Sequence, residues 1–215
     1  MNQDNEIKIL IADDHVLIRE GLKKILKAAP DLVVASEAQN AQEVLDSVRK
    51  TDVDVVVLDI SLPGRSGLEV LKELKQEYPR LPVLILSMHP EDRFATRSLK
   101  AGAAGYLTKE CATEDLIYAI RRVVKGRKYV STTLSEKLAL QLETDAGKPL
   151  HETLSNREYQ VLCLIAMGKK AKDIAKDLSL SVNTINTYRA RILEKMKMTK
   201  DAELIRYALQ NRLVE

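Results

Sequence analysis

Three aspartates stand where apolar runs stop. Asp13 and Asp14 follow IKILIA at 7–12, and Asp59 closes VDVVVLD at 53–59. Two other polar residues occupy the same kind of position, Ser87 at the end of PVLILS (82–87) and Lys109 after AGYLT (104–108). Carboxylates drawn together repel one another unless a cation neutralises them, and carboxylates with one backbone carbonyl and waters form a hard oxygen set that suits Mg²⁺. A carboxylate flanked by a metal and an ammonium can attack phosphorus and form an aspartyl phosphate, because both cations offset charge on the phosphoryl oxygens. Asp59 is the best candidate nucleophile, with Lys109 and Mg²⁺ as charge clamps and Ser87 as a hydrogen-bond donor to the phosphoryl group. Taken singly, each residue also has an ordinary reading: Asp14 as a helix N-cap, Ser87 and Lys109 as surface residues.

The elements that must bring these residues together are legible as an alternation. Short β-branched runs at 7–12, 32–37, 53–59, 82–87 and 104–108 are separated by segments with i, i+3, i+4 apolar spacing, such as Leu17, Leu22, Ile25 and Leu26, or Leu68, Leu71 and Leu74. The middle runs are apolar throughout, which implies a parallel sheet covered on both faces by helices. The expected fold is α/β, a doubly wound five-stranded parallel sheet of flavodoxin-like type, in which ligands bind beyond the carboxyl ends of the strands. All five strand-end residues then face one rim. Ser66 with Glu69 reads as a capping box opening the third helix, and Thr113 with Glu114 and Asp115 opens the fifth.

The expected division is 1–125 for this domain, 126–153 for a polar linker with one short helix around 134–142, and 154–215 for a second, all-α domain. That domain shows helical periods at 155–167, 171–178, 182–196 and 201–211, with Ser155 and Glu158 as a capping box and Gly168 as a stop. The charge is split along the chain. Residues 148 onward carry 13 basic and 8 acidic side chains, against 21 and 23 before them. A basic module joined to an acidic one points mildly to nucleic acid. With 45% apolar and 30% charged residues in 215, and no apolar stretch long enough to cross a bilayer, no membrane span is expected. The polar N-terminus does not look like a secretory signal, so the expected location is cytoplasmic. Cys111 and Cys163 lack ligand or disulfide spacing and read as reduced thiols. His15 and His89 invite a metal reading, but the plainer one makes them rim residues.

ADDH at 12–15, LDISLPGRSGLEVL at 58–71, LSMH at 86–89 and GAAGYLTKE at 102–110 together resemble the receiver domain of bacterial two-component response regulators. The resemblance implies that Asp59 accepts a phosphoryl group from a histidine kinase, and that Asp14, Asp59 and the carbonyl of Ser61 ligate Mg²⁺ while Asp13 acts through water. It further implies that Ser87 and Tyr106 form a switch in which the hydroxyl moves to the phosphate and the ring turns inward, and that Pro63 and Gly64 shape the loop after Asp59. A phosphohydrolase using an aspartyl phosphate is the nearest alternative. It would need a second acid at position 61, where this chain has Ser61, so self-phosphorylation and slow self-dephosphorylation are the only expected turnover.

In the helix from Val182, the helical period puts Val182, Ile185, Ile192 and Met196 on one face, and Asn183, Asn186, Thr187, Ala190 and Arg191 on the other. A short helix and a tight turn precede it, which is helix-turn-helix geometry. An all-helical protein-interaction domain is the alternative on spacing alone. Residues 154–198 are similar to the LuxR-type DNA-binding domain, so the chain resembles a NarL/FixJ-class transcriptional regulator. That resemblance implies that Lys172 and Thr184 contact phosphates, that Asn186 and Thr187 face the groove, and that Leu204, Ile205, Ala208 and Leu209 help pair two copies. Position 190, basic in several relatives, is Ala here, which moves base reading toward Asn186, Thr187, Arg189 or Arg191, with Arg189 ranked lower because it lies near the core face. Glu158 is implied to be a structural ion-pairing residue and Cys163 a core residue. The expected partners are a histidine kinase, double-stranded promoter DNA and a second copy of the phosphorylated chain, with room for RNA polymerase.

Overall fold

The structure, a computed structural model, describes residues 6–89, 91–111, 113–132, 134–136, 149–211 and 213–214. The chain divides into two compact units, Met1–Leu142 and Glu143–Glu215.

In the first unit, strands β1 (Ile7–Ala12), β2 (Leu32–Ala38), β3 (Val55–Leu58), β4 (Val83–Ser87) and β5 (Gly105–Thr108) alternate with helices α1 (Val16–Lys27), α2 (Ala41–Lys50), α3 (Gly67–Glu77), α4 (Glu91–Lys100) and α5 (Thr113–Val124). The sheet is parallel throughout, in the order β2-β1-β3-β4-β5. Every residue of β3 and β4 is buried, as their unbroken apolar runs require, whereas edge strand β2 alternates buried and exposed positions. Ile9, Ile11, Val55, Val57, Leu84 and Leu86 point to one face, where they pack with Leu22 and Leu26 of α1 and Leu116, Ile120 and Val123 of α5. The opposite parity, including Leu10, Val56, Leu58 and Ile85, is equally buried. β3 is shorter than the expected 53–59, because pairing with β1 begins only at Val55 and Asp59 already belongs to the rim.

Local chemistry sets the helix starts. Ser66 caps α3 by accepting from Leu68 N–H, so Ser66 acts alone where a box with Glu69 was expected. At α1 the N-cap is His15 and makes no side-chain cap bond, which removes the N-cap role considered for Asp14. The segment after α5 returns along edge strand β5: Gly105 bridges Tyr129, Ser131 donates to Glu91 at the start of α4, and Leu134 is buried. A helical turn covers residues 134–136, and the rest of the helix expected around 134–142 lies outside the described residues.

The second unit begins with a 3₁₀ turn, Leu150–Thr153, followed by α6 (Asn156–Ala166), α7 (Ala171–Asp177), α8 (Val182–Lys195) and α9 (Asp201–Gln210). The Ser155 and Glu158 capping box forms in both directions, and Gly168 ends α6 at φ 78°. After α7, Leu180 N–H donates to Ala175 O and Ser179 N–H to Lys176 O, the Schellman pattern, with Ser179 held at φ 53°. Ser181 then caps α8 by accepting from Thr184 N–H. α6 packs on α8 and α9, and α8 also packs on α7. Ile185, Ile192 and Met196 are buried as the period predicts, but Val182 is 38% exposed. It occupies the first turn of the helix, where the side chain is only partly covered.

Candidate functional sites

The carboxyl ends of β1, β3, β4 and β5 converge as their pairing dictates. Ala12 pairs Leu58, Leu58 pairs Ile85, and Ser87 pairs Thr108, so the residues that follow lie side by side at one rim. Asp13 and Asp59 are each only 2% exposed. The buried Lys109 ammonium lies 2.9 Å from Asp59 Oδ2 and also pairs with Asp13 Oδ2. Asp14 lies further out, with His15 Nδ1 2.9 Å from its Oδ1, and His15 N–H donates to Asp13 Oδ1 at 2.9 Å. One ligand atom from each of Asp13, Asp14, His15 and Asp59 falls within 4.8 Å of the others.

Electrostatics explains the arrangement. Burial, together with repulsion from Asp13, raises the Asp59 carboxyl above the usual carboxylate range despite the opposing pull of Lys109. For Lys109, burial favours loss of the proton, but Asp59 and Asp13 outweigh it and raise the ammonium. Lys109 is therefore held charged between two acids. Asp59 Oδ1 is buried and has no hydrogen-bond partner among the described residues. A buried acceptor left open is costly unless another group uses it, and an acidic oxygen cluster around such an atom fits a divalent cation.

The remaining rim residues are assembled with the acids. Ser87 is fully buried and its Oγ accepts from His89 N–H at 3.1 Å. Tyr106 is fully buried, its ring already inward, and its hydroxyl donates to His89 O at 2.8 Å. Ser61 lies on the loop that leaves Asp59, its Oγ 3.3 Å from His89 Nε2.

Three residues of this site carry weight that the sequence reading missed. Arg19, buried on the core face of α1, donates to Asp13 O at 2.8 Å and to Glu37, which fixes the acidic loop. Its only sequence signal is an arginine in register with Leu22 and Leu26. Gly67 lies so close to Asp59 that a Cβ there would meet Asp59 O at 2.0 Å. His89 touches Ser61, Ser87, Phe94 and Tyr106 through contacts that no motif spacing announces.

On α8, Asn183, Asn186, Thr187, Ala190 and Arg191 are all exposed and share one face, and Lys172 is exposed on α7. Thr187 Oγ donates to Asn183 O, and Thr184 Oγ lies 2.8 Å from Ser181 Oγ at the helix start. Arg189 differs from its neighbours: its Nε donates to both carboxylate oxygens of Asp201, at 2.7 and 2.9 Å, tying α8 to the start of α9. Glu158, nearly inaccessible, is bonded by Lys195 of α8 at 2.6 Å, and Cys163 lies in the core, both as expected. No helix among the described residues is long and apolar enough to cross a membrane.

Residues 9–121 match the family described as the response regulator receiver domain, and residues 152–208 match the bacterial regulatory proteins of the luxR family. The chain is 37% identical over 210 residues to the response regulator GacA of Pseudomonas aeruginosa, covering 97% of this chain and 98% of the relative. It is 34% identical over 208 residues to the response regulator UvrY of Escherichia coli K12, covering 96% and 95%. Among solved structures, RcsB from Salmonella enterica serovar Typhimurium, bound to promoter rprA in the presence of phosphomimetic BeF3⁻, matches with a TM-score of 0.65 at 26% identity, covering 94% of this chain and 98% of that one. An RcsB–DNA complex matches at 0.59 and 28%, covering 94% and 98%. The chain belongs to the NarL/FixJ-class response regulators of two-component systems, transcriptional regulators in which a receiver domain controls a LuxR-type DNA-binding domain through phosphorylation.

Proposed function

We propose that Asp59 is the phosphoacceptor of this regulator and that its modification controls how α8 meets promoter DNA. The observation that carries the reading is the Lys109 ammonium, buried between Asp13 and Asp59, beside an Asp59 oxygen with no hydrogen-bond partner among the described residues. The donor is a phosphohistidine of a kinase: the Asp59 carboxylate forms the new O–P bond as the N–P bond breaks, and the imidazole leaves. Asp14, Asp59 and the Ser61 carbonyl would hold Mg²⁺, with Asp13 acting through water. When bound, Mg²⁺ supplies charge that offsets the phosphoryl oxygens and favours an ionised Asp59. Lys109 neutralises a phosphoryl oxygen from the other side, and Ser87 leaves His89 N–H to donate to the phosphoryl group. With Ser61 where a hydrolase would carry an acid, turnover is limited to slow self-phosphorylation and self-dephosphorylation.

In the second unit, Lys172 and Thr184 contact phosphates, Asn186 and Thr187 read base edges or a thymine methyl, and Arg191 grips phosphate or guanine. Arg189 acts by holding α8 against α9 through Asp201. The last helix pairs two phosphorylated copies on paired half-sites. We assign 1–125 to the receiver, 126–153 to the linker and 154–215 to the DNA-binding domain, and place the protein in the cytoplasm, where the DNA it regulates lies.

The test is intact mass after incubation with Mg²⁺ and acetyl phosphate. Wild type gains one phosphoryl group, and it gains none with EDTA or as Asp59→Asn. An adduct that persists in Asp59→Asn overturns the assignment.

A further inference from the structure

His89 connects every moving part of the proposed switch, and it does so with different atoms. Its ring nitrogen Nε2 lies 3.3 Å from Ser61 Oγ, on the loop that leaves Asp59. Its backbone N–H donates to Ser87 Oγ at 3.1 Å, and its backbone carbonyl accepts from the Tyr106 hydroxyl at 2.8 Å. Its ring lies against the buried Phe94 of α4, with centroids 4.5 Å apart and planes inclined at 31°. One residue thus touches the acceptor loop, both switch side chains and α4.

These contacts depend on each other. The inward Tyr106 is completely buried, so its hydroxyl needs an acceptor, and the acceptor is a carbonyl in the turn between β4 and α4. A turn carbonyl stays in place only if its neighbours are held. Here the ring of the same residue is fixed on one side by Ser61 and on the other by Phe94. Without the Ser61 bridge the ring turns about Phe94, the carbonyl drifts, and the Tyr106 hydroxyl loses this acceptor. The remedy open to Tyr106 is to swing outward and bond to water.

We propose that His89 is the positioning residue that holds Tyr106 inward, and that the bridge from its ring to Ser61 biases the receiver toward the inward conformation before phosphorylation. Phosphorylation then acts on a receiver already partly committed. When Ser87 releases His89 N–H for the phosphoryl group, the ring bridge and the Phe94 contact keep the carbonyl under Tyr106. The inference rests on the reading of Ser87 and Tyr106 as the switch.

The experiment uses the full chain labelled with 3-fluorotyrosine, with the Tyr106 resonance identified by its loss in Tyr106→Phe. Inward and outward rings give resonances of different shift, and their ratio is read in unphosphorylated wild type, Ser61→Ala, His89→Phe and the double variant. His89→Phe keeps an aromatic ring against Phe94 and removes both ring nitrogens, including the one that faces Ser61. Each single variant lowers the inward-to-outward ratio about fivefold, the size of one net neutral hydrogen bond, and the double variant lowers it no further because both delete the same bond. Urea melting runs alongside, since a merely structural contact would lower stability and leave the ratio unchanged. An unchanged ratio in Ser61→Ala, additive effects in the double variant, or a wild type with no inward signal overturns the proposal. Adding acetyl phosphate and Mg²⁺ keeps the two readings apart. If wild type gains the phosphoryl mass and its Tyr106 signal does not move, the switch assignment fails, while the unphosphorylated series still decides the role of His89.

Discussion

Replacing Gly67 by alanine tests how tightly the loop after Asp59 is drawn, because the Cβ would stand 2.0 Å from Asp59 O and 2.9 Å from both Asp59 C and Ile60 Cα. Non-bonded carbon atoms settle at about 3.5–4.0 Å, so backbone on one side must move by more than about 1 Å. The movement also strains the bond from Gly67 N–H to Ile60 O, now 2.9 Å. Overpacking of this kind costs about 1–3 kcal/mol. The group that gives way is the backbone of the proposed phosphoacceptor, and displacing a reacting group by about 1 Å costs on the order of 100-fold in rate. The assay follows phosphoryl incorporation from acetyl phosphate by intact mass, with urea unfolding of the first unit measured in parallel. Gly21→Ala is the control, since a Cβ there meets nothing within 4 Å and α1 favours alanine over glycine by up to about 1 kcal/mol. A Gly67→Ala protein phosphorylated within about twofold of wild type and destabilised by less than about 0.5 kcal/mol would refute the reasoning, because neither the clash nor the displacement would then have its consequence.

Further outcomes follow in the two units. Lys109→Met leaves two buried carboxylates facing each other, so it destabilises the first unit by about 3–5 kcal/mol at neutral pH, less in acid, and abolishes phosphorylation; urea melts from pH 4 to 7 check the trend. Burial raises the folded-state Asp59 carboxyl, so its favourable contribution is present below the unfolded value near 3.8 and is lost as pH rises through the folded value. Asp59→Asn therefore stabilises the metal-free protein at pH 7, and the gain vanishes in acid. Burial raises Glu158, but Lys195 and the Ser155 cap outweigh it and lower the carboxyl; its contribution is full above about pH 4.5 and is lost as pH falls through the folded value. Glu158→Gln costs about 1.5–3 kcal/mol at pH 7 and almost nothing at the acid end of a thermal-melting series. On DNA, Lys172→Ala reduces the salt slope of binding by about 1 and Arg191→Ala weakens binding at least tenfold, about 1.4 kcal/mol, whereas Arg189→Ala lowers the stability of the second unit more than it alters base preference.

The parts of this protein that follow a period were legible from its residues. β3 and β4 are apolar throughout and lie at the centre of the sheet, and Ile185, Ile192 and Met196 keep the 3.6-residue register of α8. The strand-end acids could be placed because parallel pairing puts the ends of neighbouring strands at one rim, and Lys109 meets Asp13 and Asp59 there. What escaped the sequence depends on closure between distant segments. Gly67 is one of several glycines until the loop folds back onto Asp59. His89 is a rim residue until Ser61, 28 positions earlier, comes within 3.3 Å of its ring. Tyr129 falls in a stretch that reads as linker, yet it bridges Gly105 and packs on the core of the first unit, because a polar stretch conceals the few side chains that find an apolar partner. Val182 departs for the opposite reason: the period holds, but in the first turn of the helix the side chain is only partly covered.

The central claim is that charge added at Asp59 changes what α8 does, and one titration tests it most directly. The full-length chain, with phosphoryl occupancy fixed by intact mass, is titrated against a duplex selected from a random pool for binding to this protein. Wild type treated with Mg²⁺ and acetyl phosphate binds at least tenfold more tightly than untreated protein, about 1.4 kcal/mol of coupling, and Asp59→Asn shows no change. A wild type that carries the phosphoryl group and binds the duplex no differently from Asp59→Asn would contradict the account.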